Sequence, residues 1–198
     1  MNTDKPNILI AVPTTGSVHY KTAAAVVHLA AGRNAAVIFG CDRPHDYARN
    51  RLVRLFLKHP TLTHLFFLDS DVEPPLDVLD RLLALDAPVA SGCVRIAQPD
   101  GLFWTIARKN AECKYVLIPD ADLPAAPFFA DGCGAGCLLI RRDVLETMPW
   151  PWFKWIQNKD GSQMGEDIYF CKQLNAMNRL QVQVDPTVIC THHKTVAL

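Results

Sequence analysis

Two aspartates that follow a hydrophobic run are the side chains of this 198-residue chain whose spacing most directly suggests chemistry. The run Leu62–Leu68 is typical of a buried strand, and it leads straight into Asp69 and Asp71. Carboxylates two residues apart at the carboxyl end of a strand can both reach one hard cation, Mg²⁺ or Mn²⁺, in the crevice beyond the sheet. Such an ion completes its shell with water and phosphate oxygens, which favours a nucleotide diphosphate. A solvated turn produces the same pattern, so both interpretations stand at this point.

A second acidic pair, Glu166 and Asp167, follows Gly165 at the start of a predicted helix. The helix dipole favours acidic side chains at any helix N-terminus, which is a purely structural interpretation. A carboxylate fixed there beside a glycine can also take the proton from an attacking hydroxyl, which is a catalytic interpretation. The residue types alone do not decide between the two.

His192 and His193 stand near the end of the chain, after a strand-like segment. Imidazole is a ligand for Mn²⁺ or Zn²⁺, so one of these histidines can complete the shell of an ion held by the aspartates. A surface pair of histidines is the alternative. A separate zinc site that combines them with Cys133 and Cys137 is disfavoured, because the cysteines lack the spacing of a zinc finger or ribbon.

A glycine-dense loop and an aromatic cluster are two further candidate binding features. The loop Asp131–Gly136 precedes a predicted strand, and its spacing fits neither a P-loop nor a Rossmann fingerprint. It either gives the backbone flexibility or lets the backbone approach a sugar or an acceptor closely. The aromatic residues either pack in the core or stack on a sugar or a base, and they are Trp150, Trp152, Phe153 and Trp155.

The segments that must position these side chains alternate between strand and helix in the first half of the sequence. The predicted strands are Asn7–Val12, Ala35–Phe39 and Leu62–Leu68, and the predicted helices are His19–Ala31, Tyr47–His59 and Leu76–Leu85. This alternation predicts a mostly parallel sheet with helices on both faces. The second half is predicted to add antiparallel strands, from Val89–Val94, Leu102–Arg108, Tyr115–Ile118 and Cys137–Ile140. A helix over Asp167–Met177 and a strand over Gln181–Val184 complete the pattern.

Length, composition and charge narrow the class of protein. The chain is long enough for one compact domain. It has 20 Lys and Arg against 20 Asp and Glu, so no overall field draws it to nucleic acid or to a membrane surface, which leaves room only for a local basic groove. Seven irregularly spaced cysteines favour thiols in a reducing compartment. No run reaches the ~18 apolar residues of a membrane helix, and the polar start lacks a secretory core, so we predict a soluble cytoplasmic protein.

Taken in order, several segments resemble the GT-A glycosyltransferases, in particular the compact bacterial and phage enzymes that are similar to family 2. The segments are NILIAVPTTG, ARN at 48–50, HLFFLDSDVEPP, GCGAGCLLIRRDVLE, PWF at 151–153, GEDIYFCKQL and VDPTVICTHH, and they cover nearly the whole chain. The resemblance implies an α/β, GT-A (nucleotide-diphospho-sugar transferase) fold with a Rossmann-like, mostly parallel central sheet, flanking helices and additional antiparallel strands in the C-terminal half. It also implies a single domain over 1–198, with a nucleotide-binding half at 1–87 and an acceptor and catalytic half at 88–198.

The same resemblance implies which residues hold the metal and the donor. Asp69 and Asp71 would form the DxD motif, which binds the metal ion and the diphosphate and ribose of the donor. His192 matches the C-terminal metal-ligand histidine of the family better than His193 does, because it stands two residues after Cys190. The implied ion is Mn²⁺ or Mg²⁺.

The resemblance implies further roles in catalysis and nucleotide binding. Asp167, within the Gly-Glu-Asp motif, would be the catalytic base, and Glu166 would assist it or orient the acceptor. Thr14 and Arg49 would contact the nucleotide, and Asp42 would read its base. The chain lacks the long C-terminal acceptor or membrane regions of many members of the family, so the resemblance leaves the acceptor open.

The expected function is therefore that of a metal-dependent, hexosyltransferase-like glycosyltransferase in the cytoplasm of a bacterium or a phage-infected host. It would move a sugar from a nucleotide-diphosphate sugar, with a UDP-sugar favoured, to an acceptor hydroxyl, with inversion at the anomeric carbon. A glycan, a small molecule and a hydroxylated DNA base all remain open as acceptors. Retaining enzymes share the same metal motif. A nucleotidyltransferase of similar fold and a non-catalytic sugar-binding or nucleotide-binding protein are the alternatives.

Overall fold

The computed structural model of the protein describes residues 6–177 and 180–194. Within these residues the α-helices are α1 (Tyr20–Ala30), α2 (His45–Lys58), α3 (Val78–Ala84), α4 (Arg142–Thr147) and α5 (Glu166–Ala176). The strands are β1 (Ile8–Thr14), β2 (Ala35–Cys41), β3 (His64–Leu68), β4 (Val72–Glu73), β5 (Val89–Gln98), β6 (Gly101–Lys109), β7 (Tyr115–Pro119), β8 (Phe128–Ala130), β9 (Gly132–Cys133), β10 (Cys137–Arg141), β11 (Ile156–Gln157), β12 (Gln163–Met164) and β13 (Val182–His192). Each segment that the sequence predicts as a helix or a strand overlaps an element of that type.

The main sheet follows the strand order β2-β1-β3-β10-β5-β13-β4. β1 pairs in parallel with β2 and with β3, and β5 pairs in parallel with β13. β10 runs antiparallel between β3 and β5, which therefore point the same way. Because β2, β1, β3, β5 and β13 share one direction, the central sheet is mostly parallel, which confirms the predicted fold class. β6 and β7 add antiparallel pairings, as predicted for the second half, and the short strands β8 and β9, which were not predicted, add others.

Apolar side chains cover both faces of the sheet. β1 is buried along its whole length, because alternate residues face opposite sides and both sides are packed. Leu9 lies in a core with Phe56 of α2 and Phe170 of α5. Ile10 lies in a second core with Leu29 of α1. The helices thus hold the sheet between two layers, as the continuous apolar strands predict.

The structure contains short elements that the sequence pattern did not predict. α4 is only six residues long, which is too short for a helical period to be recognised. β11 and β12 form a hairpin of two residues on each side. β13 is longer than predicted, since it continues through an irregularity after Val184 to reach His192. Within the ranges that the structure describes, no helix has both the length and the apolar character needed to cross a bilayer.

The direction of the strands determines where the polar side chains meet. β1, β3 and β13 run the same way, so their carboxyl ends lie at one edge of the sheet. Thr14 ends β1, Asp69 follows β3 and His192 ends β13. In open sheets of this kind, ligands bind in the crevice outside the carboxyl ends of the strands.

Candidate functional site

A cleft of about 400 Å³ opens at this edge of the sheet. Its size falls in the range of ligand sites, which is roughly 300–1,000 Å³. Most of the side chains singled out in the sequence line it, namely Thr14, Arg49, Asp69, Asp71, Glu166, Asp167 and His192. The cleft therefore brings together residues from both ends of the chain.

Arg49 joins the two acidic motifs at the floor of the cleft. Its Nη2 donates to Asp69 Oδ1 at 2.8 Å, and its Nε donates to Glu166 Oε1 at 3.2 Å. The side chain is only 4% exposed, and its guanidinium lies over the ring of Phe67 at 5.2 Å. Burial alone would lower the pKa of Arg49, but the charges of Asp69 and Glu166 outweigh it and raise the pKa. Arg49 is therefore a permanent buried cation between two carboxylates.

This bridging contact was not predicted from the sequence, although α2 carries a signal of it. Arg49 occupies the apolar stripe of the helix, three residues before Leu52 and seven before Phe56. A charged residue on a buried stripe requires a partner of opposite charge, because an unpaired buried charge is very costly. The sequence could not say that the partners are Asp69 and Glu166, which are 20 and 117 residues away.

The glycine-dense loop provides space beside Asp69. The Asp69 amide donates to the Gly136 carbonyl at 3.1 Å. A Cβ on Gly136 would lie 3.0 Å from Asp69 Oδ2, which is tighter than ordinary van der Waals contact. One function of this loop is therefore to let the backbone pack directly against the first aspartate.

Asn50, the neighbour of Arg49, holds the segment Pro151–Phe153 against α2. Its Oδ1 accepts from the amides of Trp152 at 3.1 Å and Phe153 at 3.2 Å. Its Nδ2 donates to the Phe153 carbonyl at 2.6 Å. Phe153 in turn stacks on Phe170 of α5 at 4.9 Å, so this contact reaches the helix that begins with the acidic pair.

Asp71 and His192 face each other at the mouth of the cleft. Asp71 Oδ2 lies 3.1 Å from His192 Nε2, and His192 Nδ1 lies 3.3 Å from the Arg95 carbonyl oxygen. The hydrogen bond between them is the main reason that the pKa of Asp71 is lowered and the pKa of His192 is raised. The second aspartate of the motif and the C-terminal histidine thus form one polar pair.

This pair suits a divalent ion, although a complete ligand set is not assembled. Among residues 6–177 and 180–194, no three His, Cys, Asp or Glu side chains converge closely enough to form a ready-made metal site. Two ligands at right angles around an ion, each about 2.1 Å from it, are about 3 Å apart, and Asp71 and His192 have this spacing. The Arg95 carbonyl can accept only from an Nδ1–H, so loss of the Nε2 proton that bonds Asp71 would leave the Nε2 lone pair for an ion. Asp69 is instead turned to Arg49.

His193 points to a different partner. Its Nε2 lies 2.7 Å from Glu73 Oε2, and its ring stacks on that of His19 at 3.9 Å. Hydrogen bonding to His193 lowers the pKa of Glu73. The geometry therefore separates the two histidines, since only His192 faces the aspartate motif.

Asp167 begins α5 on the other side of the cleft. Its Oδ1 accepts from the Ile168 amide at 2.7 Å. Burial, together with the charge of Glu166, raises the pKa of Asp167 to about 6. A Cβ on Gly165 would lie 2.8 Å from Asp167 Oδ1, so a larger residue at this position would displace the carboxylate. A carboxylate with a raised pKa in a cleft is suited to accept a proton near neutral pH.

Thr14 and Asp42 differ in how they relate to the cleft. Thr14 lines it, but its hydroxyl closes the turn after β1 by accepting from the Gly16 amide at 3.1 Å and donating to the Ser17 carbonyl. Asp42 lies in a neighbouring groove, where it pairs with Arg51 at 2.6 Å. The structure therefore does not bring Asp42 together with the other predicted donor-binding residues.

Several solved structures share the fold of this chain. No protein-family model matches the sequence, and no curated protein sequence matches it. A197 from STIV has a similar structure, with a TM-score of 0.64 and 20% identity over 96% of this chain and 86% of that one. GalNAc-T7, solved with UDP, GalNAc and Mn²⁺, aligns with a TM-score of 0.61 and 11% identity over 98% of this chain, which spans only 45% of that one. A glycosyltransferase involved in the glycosylation of the major capsid of PBCV-1 aligns with a TM-score of 0.50 and 12% identity over 96% of both chains. These likenesses confirm the resemblance to GT-A glycosyltransferases at the level of the fold.

Proposed function

We propose that this chain, which has a GT-A-like fold, is a metal-dependent glycosyltransferase that moves a sugar from a nucleotide-diphosphate sugar to an acceptor hydroxyl. The observation that carries the proposal is that Asp71 and His192, at ligand spacing, share one cleft with Asp167. The structure of GalNAc-T7 with UDP and Mn²⁺ supports the kind of ligand, and a UDP-sugar is favoured as donor. We further propose one domain, in which residues 1–87 supply most of the donor-binding side chains and residues 88–198 supply the base, while both halves contribute to the metal site and to the acceptor site.

The donor side of the proposed mechanism depends on the aspartate motif. Asp71 and His192 would hold Mn²⁺ or Mg²⁺. Asp69 lies beside them and is paired with Arg49. When bound, such an ion neutralises the charge that develops on the departing nucleoside diphosphate. Thr14 would border the nucleotide at the end of β1.

The acceptor side depends on α5. Asp167 takes the proton of the acceptor hydroxyl as its oxygen bonds to the anomeric carbon. Glu166 stays bound to Arg49 and helps keep the pKa of Asp167 high enough for it to act as a base. A base on the face opposite the leaving group produces inversion.

A donor screen tests the proposal directly. The protein is incubated with Mn²⁺ and a panel of nucleotide sugars, and donor binding is followed by thermal shift and UDP release by a coupled assay. We expect at least one UDP-sugar to raise Tm only when Mn²⁺ is present, because a ligand that binds the folded state stabilises it. If no nucleotide sugar binds with either ion, the proposal is wrong.

The two histidines should differ in their effect on metal binding. We expect His192→Ala to weaken Mn²⁺ binding by at least the roughly 10–100-fold that loss of an outer-shell partner costs, because it removes a ligand. His193→Ala is the matched control and should bind Mn²⁺ like the wild type, since His193 faces Glu73. Titration of Mn²⁺ by calorimetry or by Tm measures both. Equal weakening in the two variants would contradict the assignment of His192.

The transfer rate should depend on pH through Asp167. The pKa of this carboxyl is raised to about 6, so the base form is lost as the pH falls below that value. We therefore expect kcat/KM to fall about tenfold for each pH unit below about 6 and to be level above it. Mn²⁺ binding is measured at each pH, so that loss of metal is separated from loss of the base. A rate that stays constant down to pH about 4, with the metal bound, would rule out Asp167 as the base.

A further inference from the structure

The exposed face of α2 carries a row of aromatic and cationic side chains that the mechanism does not use. Tyr47, Arg51, Arg54 and Lys58 are spaced four, three and four residues apart and are all exposed. This spacing places them on one face of the helix, and the three cations extend along about 10 Å of its axis. The opposite face is the buried stripe that contains Arg49.

Two grooves run along this row. One groove, of about 670 Å³, is bordered on its far side by Trp150 and Lys154. The other, of about 690 Å³, is bordered by Phe39. Tyr47 and Arg54 line both grooves, which makes them parts of one continuous surface. We call this surface the α2 groove, and it is formed by Tyr47, Arg51, Arg54, Lys58, Trp150 and Lys154.

The α2 groove is cationic although the chain as a whole is neutral. Three of the four Lys and Arg residues of α2 lie on this exposed face, and Lys154 adds a fourth cation to the groove, against the two acids Asp42 and Asp46. The Asp46 carboxylate already accepts from the amides of Tyr47 at 2.8 Å and Trp155 at 3.2 Å. Arg51 pairs with Asp42 and still has 64% of its side chain exposed. The chain therefore concentrates positive charge here instead of spreading it evenly over its surface.

The aromatic side chains narrow the class of ligand. Tyr47 and Trp150 are 56% and 53% exposed, and the Arg54 guanidinium lies over the Trp150 ring at 4.9 Å. Rings and guanidinium planes stack on unpaired bases, while exposed cations follow the phosphates of a strand. A neutral glycan would not use the cations, and a duplex keeps its bases stacked inside. Single-stranded nucleic acid is the ligand that uses both kinds of side chain.

The α2 groove leads towards the catalytic carboxylate. Asp46 holds the backbone of Trp155, and Trp155 Cζ3 would lie 3.8 Å from a Cβ placed on Gly165. Gly165 directly precedes the acidic pair at the start of α5. A strand held along α2 can thus extend past Trp155 to Asp167.

We infer that the α2 groove binds the acceptor of the transfer reaction, and that this acceptor is a single-stranded nucleic acid bearing a free hydroxyl. The assignment of this strand as the acceptor rests on the proposed function. In the transfer step, the hydroxyl oxygen of the strand bonds to the anomeric carbon and its proton goes to Asp167. The nucleoside diphosphate leaves with the electron pair of the broken glycosidic bond.

Binding is tested without turnover, by the fluorescence anisotropy of a labelled oligothymidylate over a series of salt concentrations. Each phosphate contact contributes about 0.7 to the negative slope of log K against log salt for single strands, so four cations predict a slope of about −3. We expect Arg54→Gln/Lys154→Gln to reduce the magnitude of that slope by about 1.4 and to weaken binding at least tenfold. Lys114→Gln/Lys172→Gln, which removes two exposed cations from a different groove, is the matched control and should bind like the wild type.

Polyglutamate, a neutral oligosaccharide, a duplex of the same length and anionic phospholipid vesicles are titrated in parallel. The inference is overturned if any of them binds as tightly as the single strand, or if the double variant keeps the wild-type slope. Donor binding with Mn²⁺ is measured on the same samples. If the wild-type protein binds a donor but no single strand, the acceptor assignment is wrong and the proposed function stands. If it binds the single strand but no donor, the proposed function is wrong.

Discussion

Replacing Asp167 with asparagine should remove transfer activity and, at neutral pH, make the protein more stable. The loss of activity follows from the loss of the proposed base, since general base catalysis typically contributes ~10²–10⁴-fold to the rate. The gain in stability follows from the pKa of this carboxyl, which burial and the charge of Glu166 raise to about 6. A raised carboxyl pKa means that the folded state disfavours the charged form, and asparagine never carries that charge.

The sign of the stability effect can be tested by pH. The folded pKa of Asp167 is about 6 and the unfolded value is 3.8, so the cost of its charge is fully present above about 6 and disappears below 3.8. The Tm of Asp167→Asn should therefore exceed that of the wild type at pH about 7 and match it at pH about 3.5. Asp100→Asn, in the exposed turn between β5 and β6, is the control and should change neither Tm nor UDP release. A variant that is both inactive and less stable at neutral pH would show that Asp167 has a structural role.

Replacing Arg49 with methionine should destabilise the protein more than other single changes near the cleft. The substitution leaves Asp69 and Glu166 without their common cation, and Glu166 is buried. Removing one partner of a buried ion pair typically costs about 3–5 kcal/mol, because the remaining charge is uncompensated. We expect a loss of about 3 kcal/mol in the free energy of unfolding, together with loss of transfer.

Urea denaturation of a small set of variants measures this effect. Arg51→Met, two residues further along α2, removes a guanidinium that is 64% exposed and should change stability by less than about 1 kcal/mol. Adding Glu166→Gln to Arg49→Met should recover part of the lost stability, because one of the uncompensated charges is gone. If Arg49→Met unfolds at the same urea concentration as Arg51→Met, the buried bridge does not contribute to stability.

Much of the fold could be predicted because its signals are local. Continuous apolar runs such as Ile8–Val12 mark buried parallel strands, and the spacing of Leu52 and Phe56 marks the apolar stripe of α2. Short elements were missed, since α4 completes fewer than two turns and the β11–β12 hairpin has two residues on each side. The strand order could not be predicted in this way, because it depends on pairing between strands that are far apart in sequence and no single segment carries a signal of its partner.

The residues of the candidate site could be predicted from the sequence, but the contacts between them could not. The sequence analysis expected Asp69 and Asp71 to reach one cation from the end of a strand, and residues at i and i+2 do share a face within a strand. β3 ends at Leu68, and a turn closed by the Val72 amide and the Asp69 carbonyl follows, so the rule no longer holds there. Asp69 consequently faces Arg49 and Asp71 faces His192.

Because one guanidinium serves both carboxylates, the two ends of the reaction are thermodynamically linked. A cation that draws Asp69 away from Arg49 leaves more of that positive charge to Glu166, which then repels its neighbour Asp167 less. Donor binding and ionisation of Asp167 would then favour each other. By the same linkage, the ionised form of Asp167 would strengthen donor binding.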